Sequence, residues 1–308
     1  MSFTVKPRQG GYPSPSVLEY YRQQGVLTDP RTQAQLYEGL PQGAPALAGV
    51  VQGLLIPPYD RLLQMYGVKE GEFDNARFGV RRAEDFLKRI QKRHPGPLSV
   101  PREPKDRIGA ICRNFTFLQV SMLHNQGIPS RSRVGFAGYL DDDPAWWCDH
   151  RITEYWNAED SRWVLYDPWV DEIRRRMDGI TVDTMNLRPT GKFLLAGGAW
   201  QLCRAGKRDP MTFGDSETDR GMPPIRYALL QDLAYLNKIE LVGNDDWGVL
   251  ITKPEAQVTQ ADKEFLDRIA ALTLEPDSHL SEVQAVFSSS DYGATVLDHI
   301  RDLESKAT

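Results

Sequence analysis

Cysteine is scarce in this chain. There are three in 308 residues, an odd number at scattered positions, and that is no disulfide framework. Long apolar runs are missing as well. The nearest to one, residues 46–56, is broken by Gln52 and Gly53 and falls far short of the ~20 residues that span a bilayer. The opening Met1-Ser-Phe-Thr-Val-Lys-Pro-Arg8 lacks the apolar core of a secretory leader. No membrane association is expected from this pattern, and the cytoplasm is the expected location. Basic residues are not in excess: 37 Lys and Arg against 42 Asp and Glu give a net charge of -5. Nucleic acid is therefore not expected as a partner, because phosphate neutralisation needs a basic face. There is no Walker-type phosphate loop, dinucleotide fingerprint, HExxH helix or EF-hand loop, so no metal or other cofactor is expected.

Hydrophobic content of 41% and charged content of 26% are those of an ordinary globular protein with ample chain for a core. Helix-like periodicity marks Val17 to Gln24, Ala46 to Ile56 and Ala83 to Lys92, separated by Thr28-Asp-Pro30 and Ile56-Pro-Pro58. Strand-like segments follow, and helices return with Pro224 to Leu241, Thr259 to Leu272 and Ala294 to Glu304. With no repeat and no sharp composition shift, a single elaborated domain is expected: an N-terminal helical layer over 1–100, a core over 101–200 and a C-terminal helical region over 201–308.

Chemistry concentrates in the middle of the chain. Cys112 opens the apolar run to Leu123, just after the helix-resistant stretch Pro101 to Gly109. Unpaired N–H groups and the positive dipole end of a helix N-terminus favour the thiolate, the nucleophilic form. About forty residues on come Asp149-His150-Arg-Ile-Thr-Glu-Tyr-Trp156, a polar turn, and Trp163-Val-Leu-Tyr-Asp167-Pro168. A turn centred on Glu159 and Asp160 sets Trp156 opposite Trp163 and Ile152 opposite Asp167. His150 and Asp167 then share a face as diagonal neighbours, so the carboxylate can orient the imidazole and the imidazole can take a proton from Cys112. A register slip of one residue would separate them.

Other residues read differently. Cys203 sits in a buried helical turn, Ala199-Trp-Gln-Leu-Cys203-Arg. Cys148 and His150 share a strand face, but no third or fourth zinc ligand stands at recognisable spacing. His124 reads as a helix cap or surface group, His94 as part of a basic helix end, and His279 and His299 as solvated. Asp141 to Asp143 read as a solvated loop, and Arg174-Arg-Arg176 as a solvated helix face or, alternatively, a docking patch for an acidic carrier or a phosphate-bearing substrate. Trp146 and Trp147, in the segment leading to His150, are either core packing or an aromatic wall against an acyl chain, which would exclude water.

The order Cys, His, Asp resembles the transglutaminase-like superfamily of papain-like fold. The resemblance rests on Gly109-Ala-Ile-Cys112-Arg-Asn-Phe, Gly127-Ile-Pro-Ser-Arg-Ser-Arg133, Asp149-His150, Glu154-Tyr-Trp156 and Trp163-Val-Leu-Tyr-Asp167-Pro168. Outer strings such as Val51-Gln-Gly-Leu-Leu-Ile56, Ala199 to Gly206 and Arg226 to Trp247 are similar to bacterial stand-alone transglutaminase-domain proteins. The resemblance implies an α+β fold, a papain-like or transglutaminase-like core in which the nucleophile helix packs on an antiparallel sheet, with additional N- and C-terminal helices. It implies a triad of Cys112, His150 and Asp167 acting through an acyl-enzyme on a small-molecule, peptide or carrier-bound acyl substrate. Asn114, Val134 and Arg151 depart from the family pattern and bear on pocket shape. Asn114, Trp146 and Trp147 are the expected substrate-binding residues, with Asn114 or an indole from 146–147 as a second oxyanion donor. A protease or amidase of the same fold, and a non-catalytic binding module on the same scaffold, remain open as readings.

Overall fold

Turn chemistry and strand register build the centre of the molecule. The computed structural model describes residues 13–69, 71–76, 79–188, 191–243 and 245–305, so the opening Met1 to Arg8 lies outside the described residues. Ahead of the centre come helices α1 (Pro15–Tyr20), α2 (Ala44–Leu54), α3 (Asp60–Met65) and α4 (Ala83–Arg93). Between them the two-residue strands β1 (Leu55–Ile56) and β2 (Asp74–Asn75) flank β3 (Ile108–Gly109) in a small parallel sheet. The expected helix over 46–56 thus stops at Leu54, where Leu55 and Ile56 turn extended and pair with β3.

Helix α5 (Cys112–Asn125) is buried from Cys112 through His124. A helix covered on all sides shows little amphipathic contrast, and here polar residues such as Arg113, Asn114, Thr116 and Gln119 are buried along with the apolar ones. It packs between α2 and the main sheet. Asn114 caps its start, accepting the Ile111 N–H at 3.1 Å, and Gly127 ends it in the left-handed region at φ +68°.

The main sheet contains β4 (Ser130–Ala137), β5 (Trp147–Asn157), β6 (Arg162–Tyr166), β7 (Phe193–Leu195) and β8 (Phe213–Gly214). Its order is β6-β5-β4-β7, antiparallel, with β8 pairing parallel to the far end of β5. The β5–β6 hairpin has the expected register, with Trp156 opposite Trp163 and Thr153 opposite Tyr166. Asn157 sets it by accepting the N–H groups of Glu159 and Asp160 at 2.9 and 3.2 Å. Gly135 pairs with His150 across β4 and β5; a Cβ there would come within 2.2 Å of the Leu194 carbonyl and 2.9 Å of the Phe193 ring.

Helices α6 (Glu172–Met177), α7 (Ala196–Arg204), α8 (Met222–Leu236), α9 (Val249–Thr252), α10 (Gln260–Leu274), α11 (Leu280–Ser289) and α12 (Asp291–Ser305) complete the fold. Leu229, Leu233, Leu236 and Ile239 enter the core, and Thr259 caps α10 through Asp262. Helix α8 packs on β4. Between them lies a buried ionic network: Arg131 and Arg133 both meet Glu154 at 2.6 and 2.9 Å, Arg133 meets Asp232 of α8 at 2.8 Å, and Arg131 meets Asp277 at 2.6 Å. The architecture is α+β, with an antiparallel sheet, a helix against it and helices before and after. Among the described residues no helix is long and apolar enough to cross a membrane.

Candidate active site

Strand β6 covers Thr153 to Asn157 of β5, and β8 covers Trp147 and Cys148. Between these neighbours the β5 edge from Asp149 to Ile152 is covered by neither. A cavity of about 740 Å³ opens there, and Cys148, Asp149, His150 and Arg151 all line it. Four consecutive strand residues can line one cavity only where it faces the strand's edge, since alternate side chains point to opposite faces. Cys112, in the first turn of α5, lines the same cavity. The helix is tied to β5 by Thr116, which donates to the Arg151 carbonyl at 3.0 Å, and by the Thr153 hydroxyl, which donates to Gln119 at 2.7 Å.

The three residues expected to act together do meet. His150 Nε2 bonds Asp167 Oδ2 at 2.9 Å, and the Cys112 thiol hydrogen-bonds the same imidazole. His150 and Asp167 are each only 1% exposed. Asp167 also accepts the Tyr139 hydroxyl at 2.8 Å and the Trp169 N–H at 2.9 Å. Burial works against ionising this carboxylate, but the imidazole and these two donors hold it below the ordinary Asp value. Burial likewise disfavours the imidazolium, yet Asp167 and the neighbouring sulfur lift His150 to about 9. At Cys112 burial pushes the thiol up, and the charge and hydrogen bond of His150, aided by Arg151, outweigh it and leave the thiol lowered. Both shifts run toward a thiolate beside an imidazolium. Cys148 and Cys203 move the other way, Cys203 to about 11, chiefly through burial.

The expected substrate contacts fall elsewhere. Asn114 is fully buried, its carbonyl spent on the helix cap, and it does not line the cavity. Trp147 stacks on Phe213 with centroids 6.0 Å apart in the core beside Phe136, and neither it nor Trp146 borders the cavity. The reason is local: β8 pairs with Trp147 and draws it into the packed side of the sheet. The indole that lines the cavity is Trp169, whose ring lies 5.2 Å from His150 and whose buried Nε1 has no acceptor among the described residues. Its position follows from Asp167, whose other oxygen accepts the Trp169 N–H and folds the chain back at Pro168.

Arg174 is another correction. Its side chain is 6% exposed, lies over Trp169 with Cζ 3.6 Å from the ring centroid, and lines the cavity. Arg175 binds the Val182 carbonyl at 2.8 Å, and of the three arginines only Arg176 is mostly solvated. Tyr139 was equally hidden in the sequence, although it lies just two residues past the end of β4, with its ring 6.5 Å from His150. His124 is buried against the Ser130 carbonyl at 2.8 Å, with burial lowering it to about 4, so it is neither a surface group nor a charged cap. His94, His299 and Asp141 to Asp143 are exposed as expected, while His299 stacks on Trp247 at 4.3 Å.

The cavity has two electrical sides. Asp149, Asp215, Asp219 and Asp246 line one part with Arg151, which bonds both Asp149 and Gln231; Arg61, Arg174 and Asp178 line another. Burial and the nearby Asp149 raise the carboxyls of Asp215 and Asp219.

No family model matches the chain, and no curated protein matches it. A solved structure of a candidate cysteine protease from Cytophaga hutchinsonii is similar at 15% identity with a TM-score of 0.30. The match covers 53% of this chain and 47% of that one, so the chain spans about half the neighbour's length. A likeness this slight has no bearing on the site.

Proposed function

We propose that the protein transfers acyl groups through Cys112, in the manner of the transglutaminase-like enzymes its motifs resemble. The observation that supports this most is the buried relay from Cys112 through His150 to Asp167 at a cavity large enough for a substrate. The Cys112 thiolate attacks the carbonyl carbon of an amide or thioester, and the electron pair of the C=O bond moves to oxygen. The carbonyl re-forms as the bond to nitrogen or sulfur breaks, and the His150 imidazolium gives its proton to the leaving group. An amine then attacks the thioester, neutral His150 accepts the amine's proton, and the thiolate departs. Asp167 keeps the imidazole oriented and its cation favourable throughout.

Two donors suit the oxyanion. The Cys112 N–H heads α5 and has no intrahelical acceptor, and the buried Trp169 indole N–H has no partner among the described residues. The carboxylates of Asp149, Asp215, Asp219 and Asp246 outnumber Arg151 in their part of the cavity and favour an acceptor that carries a cationic group apart from the neutral amine that attacks.

The test is incubation of the protein with acyl thioesters and amides, with and without amine, followed by intact mass. An adduct on wild type that is absent in Cys112→Ala, and that clears only with amine, supports transfer. Clearance by water alone supports an amidase instead. No adduct, together with an ordinary thiol profile in iodoacetamide alkylation, refutes catalysis and leaves a binding module.

A further inference from the structure

One part of the cavity holds a guanidinium with unused donors. Asp171 caps α6 by accepting the Arg174 N–H at 2.8 Å, and it is itself held by the Tyr66 hydroxyl at 2.7 Å. This fixes the turn that carries Arg174. Its Nε donates to Asp178 Oδ2 at 3.1 Å, while its buried Nη1 has no hydrogen-bond partner among the described residues. A buried cationic N–H without an acceptor is costly, so an incoming acceptor would complete the arrangement. Arg61 pairs with the other oxygen of Asp178 at 3.0 Å. Two cations share one anion here, which leaves a formal charge of +1. Trp169 connects this wall to the reacting atoms: its ring lies 5.2 Å from the imidazole and 3.6 Å from Arg174 Cζ. A guanidinium held over an indole has lost much of its rotational freedom before any ligand arrives.

We propose that Arg174, with Arg61 beside it, is a carboxylate-binding subsite, and that the acyl donor carries a free carboxylate close to the carbonyl that Cys112 attacks. This rests on the acyl-transfer reading above. A single carboxylate neutralises a wall of charge +1, whereas a phosphate monoester would leave negative charge beside Asp178. The carboxylates elsewhere in the cavity repel such a group, so the donor has one favourable orientation and the cationic acceptor takes the other part of the cleft.

The experiment compares two thioesters of glutaric acid, one with a free distal carboxylate and one with that carboxylate converted to the primary amide. Acylation of Cys112 is followed by intact mass in wild type, Arg174→Gln and Arg174→Lys. A charge-assisted hydrogen bond sets the scale, so wild type should favour the carboxylate by roughly 10- to 100-fold. That ratio should fall toward one in Arg174→Gln and lie between in Arg174→Lys. A wild-type ratio near one overturns the subsite, as does an Arg174→Gln protein that slows both donors equally, since that marks a mere prop for Trp169. A phosphorylated donor that outcompetes the carboxylated one overturns the choice of carboxylate. Calorimetry of glutarate with Cys112→Ala separates the two proposals. Binding that is lost on adding Arg174→Gln, with no acylation by any donor, keeps the subsite and refutes acyl transfer. Acylation by the amide donor without glutarate binding does the reverse.

Discussion

Replacing Asp167 with Asn removes one charge from the buried relay and changes little else in shape. Asn keeps one carbonyl oxygen, which can still accept the Trp169 N–H, while its amide NH2 stands where Oδ2 accepts the Tyr139 hydroxyl and meets the imidazole, so one acceptor goes with the charge. What Asn cannot do is favour an imidazolium at His150. That ring stands at about 9 against an ordinary 6.5, and without the carboxylate the remaining burial acts to lower it. Asp167 is the larger of the two groups that lift the ring, Cys112 being the other, so its loss shifts the balance between imidazolium and imidazole by roughly 10- to 100-fold, on the order of 2 kcal/mol. Cys112 loses its main stabiliser in turn, so its thiol moves up. In wild type the ion pair exists between the lowered thiol transition and about pH 9, so reactivity rises with pH on the acid side and transfer to a poor leaving group falls as His150 loses its proton. In Asp167→Asn that window closes. The measurement is the rate of Cys112 alkylation by iodoacetamide from pH 4 to 10, read by intact mass, with kcat/KM on a thioester beside it. The acid-side inflection should move up in pH, and kcat should drop by roughly 10²- to 10⁴-fold. Superimposable alkylation profiles for the two proteins would refute the reasoning.

Among the three cysteines, Cys112 should alkylate first near neutral pH, and Cys148→Ser and Cys203→Ser should leave acyl adducts intact, because both of those thiols are raised; peptide mapping after brief labelling checks this. Trp169→Phe should keep the ring beside His150 but lose the indole N–H, lowering kcat by roughly 10²- to 10³-fold with a smaller change in KM, measured in steady state. Asp232→Ala should cost about 3–5 kcal/mol in urea unfolding, since it leaves the fully buried Arg133 short of a partner; a loss under 1 kcal/mol would count against the network. Gly135→Ala should destabilise the sheet by overlap with the Leu194 carbonyl, with a lower melting temperature as the readout.

The relay was legible because it depends on local rules. Gly109 and the residues before it stop a helix from starting before Cys112, and Asn157 fixes the hairpin turn, so the spacing of His150 and Asp167 carries their geometry. The cavity walls were not legible. Trp147 looked well placed by sequence proximity, but its fate is set by pairing with Phe213, sixty-six residues on. Arg174 looked like one of three surface cations; the difference is a cap at Asp171 and a ring at 169, neither of which charge pattern reveals. Asn114 faces its own helix end, and the indole proposed as the second oxyanion donor comes from the far side of the hairpin.

The guanidiniums of Arg131 and Arg133 sit on the strand that neighbours the one bearing His150, and their counter-ions come from α8 and from Asp277. A shortened chain ending after β7 would retain every reacting side chain, yet the face that α8 covers would be bared, with Glu154 left to both Arg131 and Arg133. Such a fragment should be recovered as insoluble material, and adding the missing half in trans should rescue it only if that half brings Asp232 along.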